Sequence, residues 1–317
     1  MSRREILADN LDLAVEALRR DGFRLDVIYP ADEPNVATLS RCDERVTVRT
    51  PDAPAMPDGL PAFRPEFILT RSGAESGAGR AGMLYRDLIP GRLGGRYIAS
   101  QITINEGGPV SDWVHYHNIA VQLIVVRGGW VKVVYEDQGD PFVMRAGDLV
   151  LQPPLIRHRV LESSPGLEVV EVSAPALHET FADHDLELPN GPARTHNFSG
   201  QRFVRHFAEE ASWTQFLGGE AQVTGVSDAT NGAAEALVIR RAAAPEIHFG
   251  AHGGELMFGF VLEGTASLHS HGIHALGPTD AFVIPPDGAW SLSEMSAEFR
   301  LLYVTTARLD CLAASPL

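Results

Sequence analysis

Apolar residues near the start of the chain recur at helical spacing. Leu7, Leu11, Ala14 and Leu18 fall on one face, and Glu5, Asp9, Asp12, Glu16 and Arg20 fill the other. Positions three and four apart share one stripe of a helix, so the pattern predicts an amphipathic helix over residues 4–20. Leu13 is out of phase, and Asp21-Gly22 is the stop. From about residue 32 to residue 82, Pro, Gly and Ala are frequent and no long period survives. That stretch is expected to be an arm or loop packed on a neighbour, which makes residues 1–95 an N-terminal helix and arm.

From Arg96 the pattern shortens. RYIASQITI, VQLIVVRGGWVKVVY, FVMRAGDLVLQPP and LEVVEVSAP are runs of Val, Ile and Leu punctuated by Gly or Pro. Such runs predict the strands of a β-sandwich or small barrel, here spanning residues 96–176. Residues 177–221 are weakly patterned and read as a linker. Strand character returns over residues 222–317 in EALVIRR, GELMFGFVLEGTASL, TDAFVIPPDGAW and FRLLYVTT. The two strand-rich halves resemble each other: VVRGGWVKV matches FVLEGTASL, and AGDLVLQPPLIRH matches PTDAFVIPPDGAW. The offset is 135 at Gly129 and Gly264 and 132 at Pro153 and Pro285, as a hairpin loop three residues longer in the first copy would produce. Internal similarity of this kind implies two copies of one all-β domain.

Composition bounds the partners. The chain has 317 residues, 44% of them hydrophobic, and a net charge of −15 without any basic run. Nucleic-acid binding and electrostatic attachment to an anionic membrane both need clustered Lys and Arg, so neither is expected. Cys42 and Cys311 are too far apart in sequence to suggest a disulfide framework or a CxxC metal site. The first residues lack the apolar core of a signal peptide, and a cytoplasmic protein with reduced thiols is expected.

The candidate chemistry lies in WVHYHNIAVQLIVVRGG, residues 113–129. Residues i and i+2 of a strand point to one side, so His115 and His117 project together. His158, after the Pro153-Pro154 turn, and Gln122, on the following strand, can converge on them. Gly108, His115, His117, Gln122 and Gly129, followed by Gly147, Pro153 and His158, resemble the two motifs of the cupin superfamily. The departures are specific. The gap from Gly108 to His115 is one residue longer than the pattern, Gln122 replaces a glutamate, Leu155 replaces a glycine and Glu162 replaces an asparagine. The resemblance implies a bicupin: all-β, two tandem jelly-roll barrels with an N-terminal helical arm.

Three imidazoles suit Fe(II), with Ni, Cu, Zn and Mn as alternatives, and His115, His117 and His158 are the expected ligands. In the second half Met257 stands at the position of Gln122, His252 at that of His117, Gly250 at that of His115 and Trp290 at that of His158. Large apolar side chains there predict a plugged, structural barrel. An irregular set of His248, His252 and Glu255 is the competing reading. His269, His271 and His274 read as a surface hairpin turn, and His178, His184, His196 and His206 as solvated loop.

Glutamine is neutral and cannot act as a base at physiological pH, so the metal would keep more positive charge and bind an anionic substrate atom directly. Among cupins, three-histidine iron implies two dioxygenase types: those that oxidise thiols or thiones to sulfinates, and bicupins of the gentisate and salicylate type that cleave aromatic rings. Aromatic side chains and overall acidity favour the first, with an ergothioneine-like substrate carrying a cationic group. Carboxylate substrates want an arginine clamp, for which Arg157 is the candidate. Gln122 and Tyr135 are the expected catalytic residues, and Trp113, Gln122, Tyr135 and Arg157 the expected substrate contacts. Non-redox metal cupins (isomerases, lyases) and small-molecule-binding modules stay open. The expected partners are a small-molecule substrate and O₂, in a homodimer paired through sheet edges or the N-terminal arm.

Overall fold

A computed structural model describes residues 2–74, 77–78 and 83–309. The chain folds as two antiparallel double-sheet barrels in tandem. In the first barrel, one sheet orders the strands Leu149–Leu151, Val121–Gly128, Leu167–Ala174 and Ile98–Ile104. Its opposing sheet orders Thr180–Ala182, His115–His117, His158–Ser163, Trp130–Tyr135 and Phe142–Arg145. The second barrel repeats this plan. Ala281–Val283, Leu256–Glu263, Arg300–Thr306 and Ala234–Arg240 oppose Ile247–Phe249, Trp290–Ser293, Ala266–His269 and Ile273–Leu276.

The longest apolar runs have two faces to bury. Along Val121–Gly128, Leu123 and Val125 pack into a core shared with Phe258, Phe260 and Val304 of the other barrel. Val126, on the alternate face, joins Val131, Val133 and Met144 inside the first barrel. A strand between two cores reads as a continuous hydrophobic run, which is why alternation is weak there. Burying one such side chain contributes roughly 1.5–3 kcal/mol.

Equivalent hairpin turns mark the duplication. Gly129 and Gly264 have φ of +76° and +72°. A Cβ at either would collide with a serine hydroxyl, that of Ser164 or Ser296. Those two hydroxyls accept hydrogen bonds from the next backbone amides, Trp130 at 3.0 Å and Thr265 at 3.1 Å. Only glycine fits both the left-handed backbone and the close approach.

The N-terminal region differs from the expected helix and loop. The helix is shorter, Leu11–Arg20, because Asn10 caps it by accepting from the Leu13 amide at 2.9 Å. The residues before the cap form a strand, Ser2–Leu7, parallel to Glu44–Arg49. Val36–Arg41 and Glu44–Arg49 form a hairpin, and Arg24–Tyr29 joins this small sheet to Thr180–Ala182 of the first barrel. Ile68–Thr70 adds an edge strand to the second barrel, and Leu84–Asp87 extends the first, with Gly77–Ala78 paired beyond it. The expected linker is also structured. Besides Thr180–Ala182 it carries Val204–His206 on the first barrel and Gly219–Val223 on the second. Cys42 is exposed and free, and Cys311 lies outside the described residues. Among the described residues no helix is long and apolar enough to cross a membrane.

Candidate metal centre

Strand geometry assembles three histidines inside the first barrel. His115 is the antiparallel partner of His158. Their ring centroids lie 4.2 Å apart, and each lies 5.2 Å from that of His117. One nitrogen from each ring falls within 4.8 Å of the others. The Nδ1 atoms are engaged elsewhere. Those of His115 and His158 donate to the backbone carbonyls of Trp113 at 2.7 Å and Ile156 at 3.0 Å, and that of His117 meets Thr180 Oγ1 at 3.0 Å. A carbonyl only accepts, so at His115 and His158 these contacts fix the tautomer and assign the ligand role to Nε2, while the Thr180 hydroxyl can either donate to or accept from His117 Nδ1. The donor set fits a divalent transition metal with open coordination positions. The turn that delivers His158 holds Leu155 at φ +65°, so the backbone keeps the glycine-like conformation with a leucine in it.

Gln122 is built into a hydrogen-bonded chain. Glu171 only accepts when ionised, so the Gln122 amide nitrogen donates to it at 2.9 Å. The Gln122 carbonyl then accepts from Gln152 Nε2 at 2.8 Å, and Gln152 Oε1 accepts from the Tyr135 hydroxyl at 2.6 Å. The carboxylate thus sets the direction of the whole chain. Gln152 Nε2 also lies 3.4 Å from His158 Nε2, which joins the chain to the histidine cluster. Burial pushes the Tyr135 phenol well above its ordinary value, and Glu171 pushes it the same way, so Tyr135 is a proton donor in a hydrogen bond and not a base.

A cavity of about 140 Å³ is lined by the three histidines, Gln122, Tyr135 and a largely aliphatic wall that includes Ile102, Ile124, Val131 and Val133. Asp32, Asp112 and Glu171 line it as well, and among the described residues no Arg or Lys does. His178 is the fourth histidine on the wall, 6% exposed, with its ring 5.4 Å from that of His117. Burial lowers its pKa, so the ring is neutral, and Nδ1 donates to the Pro175 carbonyl at 2.9 Å.

Two expected substrate contacts stand outside the cavity. Trp113 packs edge-on against His115 with centroids 5.1 Å apart, so its backbone carbonyl orients the ligand while its ring backs the site. Arg157 points the other way: Nε donates to Asp183 at 3.0 Å and the guanidinium lies 4.2 Å over the Tyr116 ring. No carboxylate joins the histidine cluster among the described residues, but Glu171 stands directly behind Gln122 as its hydrogen-bond partner. Gln152, Glu171, His178 and Thr180 escaped the sequence reading. Glu171 left a signal, a charge set between valines in the run LEVVEVSAP, where Glu168 is the other charged residue. His178 left none, because its burial comes from tertiary packing.

The second barrel holds no equivalent cluster among the described residues. His248 is exposed beside Glu246, His252 Nε2 faces the Ile284 carbonyl at 2.9 Å, and Glu255 is buried against Arg96 and Tyr97. Of the remaining histidines, His184 and His196 meet Asp26 and Asp137, His271 and His274 stack on Phe67, and His206 is buried rather than solvated.

No protein-family model matches the chain, and no curated protein does. Solved structures do match. The protein Ylba from E. coli, of family-model DUF861, aligns with a TM-score of 0.55 at 11% identity over 79% of this chain and 95% of its own. Oxalate decarboxylase from Lactobacillus farciminis aligns with a TM-score of 0.55 at 13% identity, over 83% of this chain and 92% of its own. Salicylate 1,2-dioxygenase from Pseudaminobacter salicylatoxidans does so with a TM-score of 0.55 at 18% identity, over 79% and 87%. The fold is that of a bicupin. At these identities the likeness speaks for the fold alone, and the chemistry follows from this chain's own cavity.

Proposed function

We propose that this bicupin is a mononuclear metal-dependent dioxygenase with Fe(II) held by His115, His117 and His158. Its substrate is small and reaches the metal through one ionised heteroatom; a thiol or thione oxidised to a sulfinate fits best. The observation that carries this reading is the cavity wall, which joins three histidines to aliphatic side chains and carboxylates, with no Arg or Lys among the described residues that line it. When bound, the metal supplies Lewis acidity for the heteroatom and electrons for O₂. The protein's part is to orient and exclude water. Trp113, Ile156 and Thr180 fix the three imidazoles, and the chain from Tyr135 to Glu171 holds Gln122 and Gln152 rigid beside His158. A thiol takes up both atoms of O₂ and becomes a sulfinic acid, so no external reductant is needed.

Ring cleavage of a gentisate- or salicylate-like acid is the second reading, favoured by the shared fold of the salicylate dioxygenase. It is weaker because the substrate carboxylate would meet carboxylates, with Arg157 engaged outside. The test is oxygen uptake by iron-loaded protein offered thiols, imidazole thiones, gentisate and salicylate. Uptake with sulfur compounds, one O₂ per sulfinate formed, is the expected result. Uptake with the aromatic acids alone would install ring cleavage. Iron-loaded protein that takes up no O₂ with any of them would turn the reading to a non-redox cupin or a binding module.

A further inference from the structure

We propose that His178 Nε2 is the hydrogen-bond acceptor that selects a substrate carrying an N–H or O–H beside its metal-binding heteroatom. This rests on the reading of the cavity as a site where substrate binds a metal.

His178 lies between Pro175 and the strand Thr180–Ala182, which pairs with His115–His117. The pairing brings its ring against that of His117 and into the cavity wall. Pro175 O accepts from Nδ1, so the proton sits there and Nε2 offers a lone pair. That lone pair is buried and has no hydrogen-bond partner among the described residues. Buried polar atoms are nearly always satisfied, and one on the wall of a cavity points to what the cavity takes. His178 is not a fourth ligand in this arrangement, because the cluster of converging nitrogens comprises His115, His117 and His158 alone among the described residues.

The surroundings ask for the same kind of partner. Glu171, Asp32 and Asp112 line the cavity too, and all three are acceptors when ionised. Asp32 meets Arg92 at 2.7 Å, Glu171 is engaged by Gln122 and Ser173, and Asp112 accepts from the Val160 amide at 2.9 Å. Among the described residues, His178 Nε2 is the buried side-chain acceptor on this wall that none of them engages. A heterocyclic thione has the matching pattern, with an N–H one atom removed from the sulfur. A thioether or a fully N-alkylated thione lacks it.

The test uses the full chain loaded with Co(II), without turnover, and reads dissociation constants by calorimetry together with metal content. Two probe pairs differ in their N–H groups: imidazole-2-thione, with two, against 1,3-dimethylimidazole-2-thione, with none, and acetohydroxamic acid, with one, against N-methylacetohydroxamic acid, with none. Wild type is expected to prefer the N–H member about tenfold, as one hydrogen bond to a buried acceptor would give. His178→Leu should abolish the preference at unchanged metal content, and His178→Gln, which keeps an acceptor, should restore part of it. A preference that survives in His178→Leu is steric and overturns the proposal, as does equal binding of both members by wild type. Loss of cobalt from His178→Leu would make the residue a ligand and also overturn it. A preference in the hydroxamate pair, with neither thione bound, would uphold the role of His178 and discard sulfur oxidation. Binding of none of the four would discard both.

Discussion

The two barrels share a backbone plan and differ at the same few places. In the first, His115 faces His158 across a strand pair; in the second, Phe249 faces Trp290. The imidazoles sit 4.2 Å apart and tilted, while the second pair is stacked at 3.7 Å with planes 3° apart. Gln122 pairs with Ser173, and Met257 with Thr305. Glu171 pairs with Ile124, and Tyr303 with Gly259. The backbone carbonyl of Gln122 accepts from the backbone amide of Gln152 at 2.9 Å, and the backbone carbonyl of Met257 from that of Ile284 at 3.1 Å. Thus His115, His158, Gln122, Gln152 and Glu171 in one barrel stand where Phe249, Trp290, Met257, Ile284 and Tyr303 stand in the other. These five positions, together with His117, separate a polar, histidine-lined cavity from a filled core. The barrel places side chains, and the chemistry comes from which ones are placed.

Removing a ligand should break the contrast outright. His158→Ala is expected to lose the metal and reduce turnover to background, as metal analysis and oxygen uptake would check. The mirror experiment is Trp290→Ala. It should leave metal content and substrate affinity unchanged but cost about 3–5 kcal/mol of stability in urea denaturation, because it opens a hole in a packed aromatic stack. An equal loss of metal would mean that the second barrel is not merely structural.

Gln122→Glu sharpens the comparison inside the first barrel. It sets a second carboxyl where the amide now donates to Glu171 at 2.9 Å. Two carboxylates at that distance cannot both ionise, so in the metal-free protein one pKa rises. A group raised on folding stabilises below its unfolded pKa and loses that contribution as pH rises through its folded pKa. The variant should therefore fall further below wild type in denaturation midpoint as pH rises. In the loaded protein it should keep the metal and lose activity roughly 10- to 100-fold, the usual effect of disturbing the groups behind a metal site. Unchanged turnover would remove the argument from charge.

The smallest effect concerns His206, on the strand that pairs with Leu149–Leu151. Burial lowers its pKa below the ordinary 6.5. A histidine with a depressed folded pKa takes up its proton more readily when unfolded. Stability should therefore decline as pH falls below that ordinary value, and His206→Gln should flatten this dependence by up to one proton. A denaturation series from pH 8 to pH 5, roughly spanning the histidine range, checks it.

Much of this architecture is legible in the amino-acid sequence. The repeat offsets and the glycine turns reveal two copies, because both turns need the same left-handed backbone. The histidine pair and its partner are legible from strand parity and motif spacing. Three things are not. An ungapped alignment of the halves sets Gly250 against His115, whereas strand pairing sets Phe249 there, one residue away. The Val36–Arg41 and Glu44–Arg49 hairpin alternates buried and half-buried positions, but its strands are too short to stand out in a Pro- and Gly-rich stretch. Gln152 and Glu171 approach Gln122 from two different neighbouring strands, and adjacency across a sheet leaves no local periodicity to read.

The most direct test of the central claim is the metal content of protein purified without added metal, beside His115→Ala. About one iron per wild-type chain, and almost none in the variant, is the predicted result for a single three-histidine site. About two metals per chain, or full metal content in His115→Ala, would contradict it.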